Sequence, residues 1–443
     1  LREEFDPETE NVYSSEDYGG SEKENRGMRK VKIVGGAMTK FGRHMDRNLK
    51  SLVAEAVNGA LKDAGLTKEQ IQGVWVGNAS QGVLTGQESI RGQVVMRAMG
   101  IGGIPVINVE NACASSATAL QGARAMVALG EMDVALVVGM EKMYFEDRGK
   151  VLPAFTGCMD VEILPQLLQE FAEQEEKVKK EREARGEGQK EKSGQRTVFM
   201  DVYAIMARDH MKKYGTTQRQ LAVISSKNHY HSSMNPLAQY RNTFTVEEVL
   251  AAPEVAWPLT RPMCSPIGDG AAAVVICSEE FARKIGVTHG VEVAACMLAS
   301  GEDLPPGKES TLARLAGRAY ERAGIGPEDL DVAELHDATA FGELYVTEEL
   351  GFCPLGEGGP FAEAGHSTLG GKLPINVSGG LESQGHPIGA TGVRQVVEVY
   401  WHLAGGGRAG KRQVEGARAG LAQNAGGTVG SSEAALSVTI LKK

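Results

Sequence analysis

The sequence predicts a mixed α/β protein built from two similar halves, with an irregular segment inserted into the first. Three observations predict it. Apolar β-type runs alternate with helix-period segments closed by glycine, the same order of elements recurs in the second half of the chain, and the alternation fails between residues 144 and 262. A chain of 443 residues exceeds what one compact core ordinarily serves, so a duplicated unit with an insertion fits its length.

Taken in order, Val31 to Gly35 reads as a strand, Leu49 to Ala64 as a helix stopped by Gly65, and Val74 to Gly77 as a second strand. Residues 111 to 118 then open a helix through Leu129 with Gly130 as its stop, and Val134 to Val138 is apolar on both faces, as a buried strand is. The second half repeats the order: strand 291–299, helix 311–323 stopped by Gly324, strand 332–335 and helix 340–350. A glycine-rich turn leads into helix 387–404, and strands near 418–422 and 434–441 close the chain. The expected division is 28–283 for the first half, including a loop or cap insertion at about 144–262, and 284–443 for the second. Within the insertion, the charge run from Glu170 to Lys192 reads as a solvated helix or loop, and Val198 to Pro262 has enough aromatic and apolar residues to cover a site. Residues 1–27 are acidic and polar, and are expected to be a disordered extension rather than a secretory signal.

Composition removes several classes of function. A formal net charge of −10 gives no whole-molecule attraction for nucleic acid, although a few local Lys and Arg could still hold the phosphate of a small ligand. No stretch is long and apolar enough to span a membrane. The six cysteines, at 113, 158, 264, 277, 296 and 353, form no C-x-x-C pair and no Cys/His cluster at zinc spacing. They read as reduced thiols of a cytoplasmic chain without a bound metal, and the tail Ile440-Leu-Lys-Lys443 is not of peroxisomal type.

Four segments carry chemistry. In Asn111-Ala-Cys113-Ala-Ser-Ser-Ala-Thr118 the cysteine lies where strand turns into helix, so backbone N–H groups and the helix dipole would favour a thiolate; a lone cysteine is also commonly an inert small hydrophobe. That second description covers Cys158, Cys277 and Cys296. Gly379-Gly-Leu-Glu-Ser-Gln-Gly385-His386-Pro387 is a glycine-rich loop that lets backbone approach a ligand, with Pro387 suited to a first helical position. His386 there can take the proton of a thiol. Glu334-Leu-His336-Asp337-Ala-Thr ends an apolar strand, where residues project into the crevice of an open sheet, and His336 could donate to a thioester oxygen. Read alone, either histidine is equally a satisfied structural residue. Gln423-Asn424-Ala-Gly426-Gly427-Thr-Val-Gly430 is a turn whose N–H groups could supply a second oxyanion hole.

These four segments in this order resemble the thiolase superfamily, specifically thiolases of the sterol-carrier-protein type, over residues from about 30 to 443. Residues 210–215 (HMKKYG), 227–236 (KNHYHSSMNP), Gly268-Asp-Gly-Ala-Ala-Ala273 and Lys411-Arg-Gln-Val414 add to the likeness. The resemblance implies a five-layered α/β/α/β/α fold with a loop domain inserted in the first half. It makes Cys113 the acyl-accepting nucleophile, His386 its activating base and His336 a group beside the oxyanion site, with Ser265 near the pantetheine of CoA. It further implies cleavage of 3-oxoacyl-CoA by CoA, or the reverse Claisen condensation, by a homodimer or homotetramer. CoA and acyl-CoA are then substrates, and no cofactor is needed because the thioester acidifies its own α-carbon.

The chain departs from that pattern at one point. The subtype carries a second cysteine where this sequence has Ala338, and other thiolases place one near Gln423, where this sequence has none. General acid–base help of this kind is worth about 10²–10⁴-fold, and Tyr345 and Cys353 are its nearest substitutes in sequence. Two alternatives follow: a retro-aldol lyase acting on 3-hydroxyacyl-CoA with a small OB-fold partner, and a catalytically silent acyl-CoA or lipid-binding subunit.

Overall fold

The computed structural model describes residues 28–146, 148–186, 191, 194, 196–305, 307–430 and 432–443. The expected extension at 1–27 lies outside the described residues. The strands are β1 (Val31–Met38), β2 (Gly73–Gly77), β3 (Val106–Val109), β4 (Val134–Glu141), β5 (Glu254–Ala256), β6 (Leu259–Thr260), β7 (Gly270–Ser278), β8 (Val291–Ala299), β9 (Val332–Glu334), β10 (Ala419–Val429) and β11 (Ser432–Lys442).

Nine of them connect in the order β3-β2-β4-β7-β1-β8-β11-β10-β9. The duplication is visible in that order. In the first half β2 pairs in parallel with β3 and β4, and β7 runs antiparallel between β4 and β1. In the second half β9 pairs in parallel with β10, and with a single residue, Ile375, where β3 would stand. Here β11 runs antiparallel between β10 and β8. Among the described residues, the halves meet edge to edge where Lys32 and Ile33 of β1 face Glu292 and Val291 of β8.

Two helices, Ser115–Leu129 and Thr391–Ala404, lie in the middle layer and touch strands of both halves, while Leu49–Ala64 covers the outer face of the first sheet and Thr311–Ala323 that of the second. The result is five layers. Local chemistry sets the ends of these helices: Asn48 and Ser310 cap two N-termini by accepting backbone N–H groups, and Gly65, Gly130 and Gly324 close helices in the left-handed conformation. β4 and β7 are buried along their whole length, as central strands covered on both faces must be.

The insertion is helical, with helices Leu164–Ala184, Val198–Tyr214, Gln218–Ser233 and Val246–Ala251 and the small β5–β6 hairpin. The charge run falls on the first of these, which has no buried residue; residues 187–190 and 192 of the run lie outside the described residues. One expectation fails: Pro387 does not open the helix, which begins at Thr391 after a short turn at Ile388–Ala390. The intervening residues keep the loop tight beneath β4, where a Cβ at Gly389 would fall 2.6 Å from the Met140 carbonyl.

The middle layer closes through glycine. A Cβ at Gly392 would sit 2.6 Å from the Ala117 nitrogen, and one at Gly77 2.6 Å from the Ser116 backbone. The Ser116 hydroxyl accepts the Val393 N–H at 3.0 Å. The N-terminal turns of the two central helices are therefore in backbone contact. Gly392→Ala should lower stability by about 1–3 kcal/mol through overpacking, measured by calorimetry. Gly317→Ala, exposed in a helix with nothing within 4 Å of the added methyl, should raise it by about 1 kcal/mol.

Candidate active site

Cys113 sits in a strained turn between β3 and the Ser115–Leu129 helix. Ala112 before it adopts φ +47°, a left-handed conformation that costs a non-glycine residue about 1–3 kcal/mol. The Ser115 hydroxyl holds the turn, donating to the Ala112 carbonyl at 2.6 Å and accepting the Asn111 N–H at 2.9 Å. β10 crosses directly beneath: a Cβ at Gly426 would lie 2.6 Å from the Ala114 nitrogen and 2.9 Å from that of Cys113. The N–H groups of Gly427 and of Cys113 itself consequently point at the sulfur.

Donor atoms of Cys113, His336 and His386 lie within 4.8 Å of one another. The two rings meet edge to face, 5.2 Å between centroids. Their hydrogen bonds separate their roles. The Thr391 hydroxyl gives its single proton to the Pro387 carbonyl at 3.0 Å, so at 2.7 Å from His386 Nδ1 it can only accept. His386 therefore carries its proton on Nδ1 and presents a bare Nε2. At His336 the Asn424 amide donates to Nδ1 at 3.0 Å, which leaves the proton on Nε2. One imidazole is a base and the other a donor. A thiol and two imidazoles are also a donor set of the kind soft metal ions accept.

Burial sets the resting charges. It lowers His386 well below the ordinary histidine range, helped by His336 and Arg394, and takes His336 to about 3 with help from Arg394. Arg394 is fully buried against Glu334, so its fixed positive charge stands behind both rings. Cys113 is raised well above a normal thiol, first by burial and then by Cys158 and Glu141, with the Gly427 and Cys113 N–H groups opposing. The sequence expectation of a thiolate favoured by the helix terminus is thus corrected: desolvation outweighs the N–H groups, and the pair rests as neutral thiol and neutral imidazole.

A buried carboxyl cluster ties the two histidine segments to the insertion. Asp337 accepts the Leu381 N–H at 2.7 Å, and the Asn228 amide is shared among Asp337, Glu343 and Glu382 at 2.9–3.2 Å. Lys227 Nζ donates to Glu343 and to the Ile375 carbonyl. One lysine cannot neutralise three buried acids; burial and then Glu343 push Glu382 up to about 8, and burial, Glu382 and Glu343 raise Asp337.

Cys113, His336 and His386 open on a cavity of about 70 Å³ whose wall also includes Ser265, Ala338, Gly426 and Gly427. Ser265 is placed there by its N–H bond to the Ala338 carbonyl at 3.0 Å. Gly385 and Asn424 stand one layer back: Gly385 turns the chain into His386 at φ +114°, and Asn424 orients His336. The insertion contributes Phe155, Phe199, Met200 and Tyr203, and the β10–β11 hairpin contributes Glu433. Tyr345 and Cys353 do not line it; Tyr345 stacks on Phe341 and faces a separate cavity beside His210, and Cys353 packs on the second-half core. Sequence reasoning missed Tyr203 and Glu433, since nothing in their local pattern marks them, and it read Cys158 as an inert small hydrophobe. Cys158 lies near Cys113, raising that thiol's affinity for a proton, and its own carbonyl accepts the Thr428 N–H at 3.0 Å, whereas Cys277 and Cys296 are buried in the core.

Residues 31–280 match the family described as thiolase, N-terminal domain, and residues 300–442 that described as thiolase C-terminal domain-like. The chain belongs to the thiolase family. It is 39% identical to an acetyl-CoA acetyltransferase of Methanothermobacter thermautotrophicus, over 91% of this chain and 98% of the relative. It is 36% identical to human sterol carrier protein 2, over 90% of this chain and 70% of the relative. Such membership makes the chain an acyltransferase of thiolase type. Among solved structures, the Ltp2-ChsH2(DUF35) aldolase superposes with a TM-score of 0.74 at 22% identity, covering 94% of this chain and 98% of its own, a likeness of fold. No helix among the described residues is long and apolar enough to cross a membrane.

A neutral resting thiol has a kinetic signature. Alkylation of Cys113 by iodoacetamide, followed by peptide mass spectrometry, should rise by about tenfold per pH unit between pH 6 and 8 without a plateau, as expected for a thiol titrating above that range. A rate already level at pH 6 would indicate a preformed thiolate–imidazolium pair.

Proposed function

We propose that this protein is a thiolase-type acyl-CoA acyltransferase that cleaves 3-oxoacyl-CoA with CoA, or runs the reverse Claisen condensation, through an acyl group carried on Cys113. The observation that carries this reading is the opposed protonation of the two histidines around one thiol. His386 Nε2 takes the Cys113 proton, and the sulfur attacks the C3 carbonyl. The developing C3 oxyanion is met by the N–H groups of Cys113 and Gly427, and the departing enolate oxygen by Nε2–H of His336 and of protonated His386. The enolate takes a proton at C2 and leaves as acetyl-CoA; the thiol of CoA attacks acyl-Cys113, giving its proton to the group that supplied the one at C2, and His386 returns the first proton to the Cys113 sulfur.

These steps use side chains and backbone of the chain itself, so CoA and acyl-CoA act as substrates and no resident cofactor or metal is invoked. Ser265 and Ala338, in the wall beside Cys113, would flank the pantetheine. A cytoplasmic homodimer or homotetramer, without nucleic acid, is the setting we propose. The fold likeness to an aldolase keeps a retro-aldol lyase with an OB-fold partner as the second reading. Retro-aldol chemistry needs no nucleophile, however, and the strained, hydrogen-bonded turn at Cys113 would then have no purpose; a silent acyl-CoA or lipid-binding subunit would have no use for it either.

Thiolysis of acetoacetyl-CoA and longer 3-oxoacyl-CoA, followed by release of acetyl-CoA, tests the proposal. Cys113→Ala should cost at least about 10⁴-fold in kcat, the scale on which removing the nucleophile of a cooperating set is felt. Cleavage of a 3-hydroxyacyl-CoA that survives Cys113→Ala would establish the lyase reading instead.

A further inference from the structure

Ala338 leaves the carbon–carbon step without a proton carrier at the place where the family resemblance calls for a cysteine. The cavity itself supplies a replacement. Of the ionisable side chains in its wall, Cys113, His336 and His386 already have roles, and two others remain: Tyr203, from the insertion, and Glu433, at the start of β11.

Glu433 belongs to the same hairpin that aims the Gly427 N–H at the nucleophile. It lies opposite Thr428 across the β10–β11 ladder, two residues from the Gly426–Ala435 pair that passes under Cys113. Its carbonyl accepts the Gly301 N–H at 3.1 Å, which ties this end of β11 to the segment following β8. The carboxyl is therefore carried on a fixed strand end, as a proton-transfer group must be. Burial raises its affinity for a proton, which suits an acid working near neutral pH. Tyr203 feels both Glu433 and Cys113, and burial together with these neighbours keeps its phenol protonated. Its side chain lines the same cavity as the Cys113 sulfur and Glu433.

We propose that Glu433 is the general acid–base of the carbon–carbon step and Tyr203 the residue that positions its carboxyl. This deepens the thiolase reading and rests on it. In cleavage, the C2–C3 bond breaks with its electron pair going to C2, and the carboxyl proton of Glu433 passes to C2, releasing acetyl-CoA and leaving a carboxylate. The carboxylate then takes the proton of the incoming CoA thiol, whose sulfur displaces Cys113 from the acyl group; the Cys113 sulfur recovers its own proton from His386. Each group ends as it began. In condensation, the Glu433 carboxylate removes the α-proton of acetyl-CoA.

The test is exchange of deuterium from D₂O into the methyl group of acetyl-CoA, read beside thiolysis in wild type, Glu433→Gln and Glu433→Asp. Glu433→Gln should lose exchange and thiolysis together by about 10²–10⁴-fold, the worth of general acid–base catalysis. Alkylation of Cys113 by iodoacetamide should stay near the wild-type rate, and Glu433→Asp should recover part of the exchange. Tyr203→Phe should shift the acid limb of the pH–rate profile. This variant carries the test if Glu433→Gln fails to fold, and an unmoved limb would count against the proposal. Wild-type exchange and turnover in Glu433→Gln would overturn it, as would parallel loss of Cys113 alkylation, which marks a structural role. Loss of exchange in Cys158→Ser but not in Glu433→Gln would overturn it in favour of that thiol. A wild-type protein that thiolyses no 3-oxoacyl-CoA defeats the thiolase reading itself, whereas turnover with an unimpaired Glu433→Gln defeats this inference alone.

Discussion

The contact on which the rest of the structure depends is the meeting of the two central helices at Ala117 and Gly392. Each helix belongs to a different half of the chain, and each is preceded by a loop that carries one member of the proposed catalytic set, Cys113 or His386. With no side chain at Gly392 and the Ser116 hydroxyl accepting the Val393 N–H, the loops holding Cys113 and His386 are pressed together. The same logic acts at Gly77, Gly389 and Gly426, each of which lets one backbone pass directly over another. The many glycines of the chain thus purchase proximity.

Proximity alone would not make a reactive site; low dielectric and fixed dipoles complete it. Buried Arg394 stands behind both imidazoles, neutralised by Glu334 but close enough to disfavour a second positive charge. The Cys113 thiol and the His386 imidazole therefore rest uncharged, and in the proposed mechanism charge appears only when an acyl carbonyl is present to receive it. Backbone N–H groups of Cys113 and Gly427 are already aimed, so little reorganisation accompanies that step. The cluster of Asp337, Glu343 and Glu382 beneath them shares the Asn228 amide, and its cohesion keeps the two histidine segments in register with the insertion.

Much of the fold was legible because its signals are local: glycine stops after helices at 65, 130 and 324, apolar runs for β4 and β8, and the loss of alternation between 144 and 262. Cys113, His336 and His386 could be picked out because each lies in a small-residue loop at the end of a predicted element, and the structure brings the three together. What escaped was whatever depends on distant burial. The charge state of Cys113 is decided by Cys158, Glu141 and the desolvating cavity, none of which adjoins it in sequence. Pro387 satisfied a local rule for helix starts, yet the packing of Gly389 against β4 delayed the helix to Thr391. Tyr203 and Glu433 reach the cavity from an inserted helix and a hairpin end, and no spacing rule links them to the nucleophile.

The most direct test of the central claim, that Cys113, His386 and His336 form one acyl-transfer site, is peptide mass spectrometry after brief exposure of the protein to acetyl-CoA. The account predicts an acetyl group on the peptide that contains Cys113, lost in His386→Ala. Absence of any adduct, or an adduct placed on Cys158 instead, would contradict it.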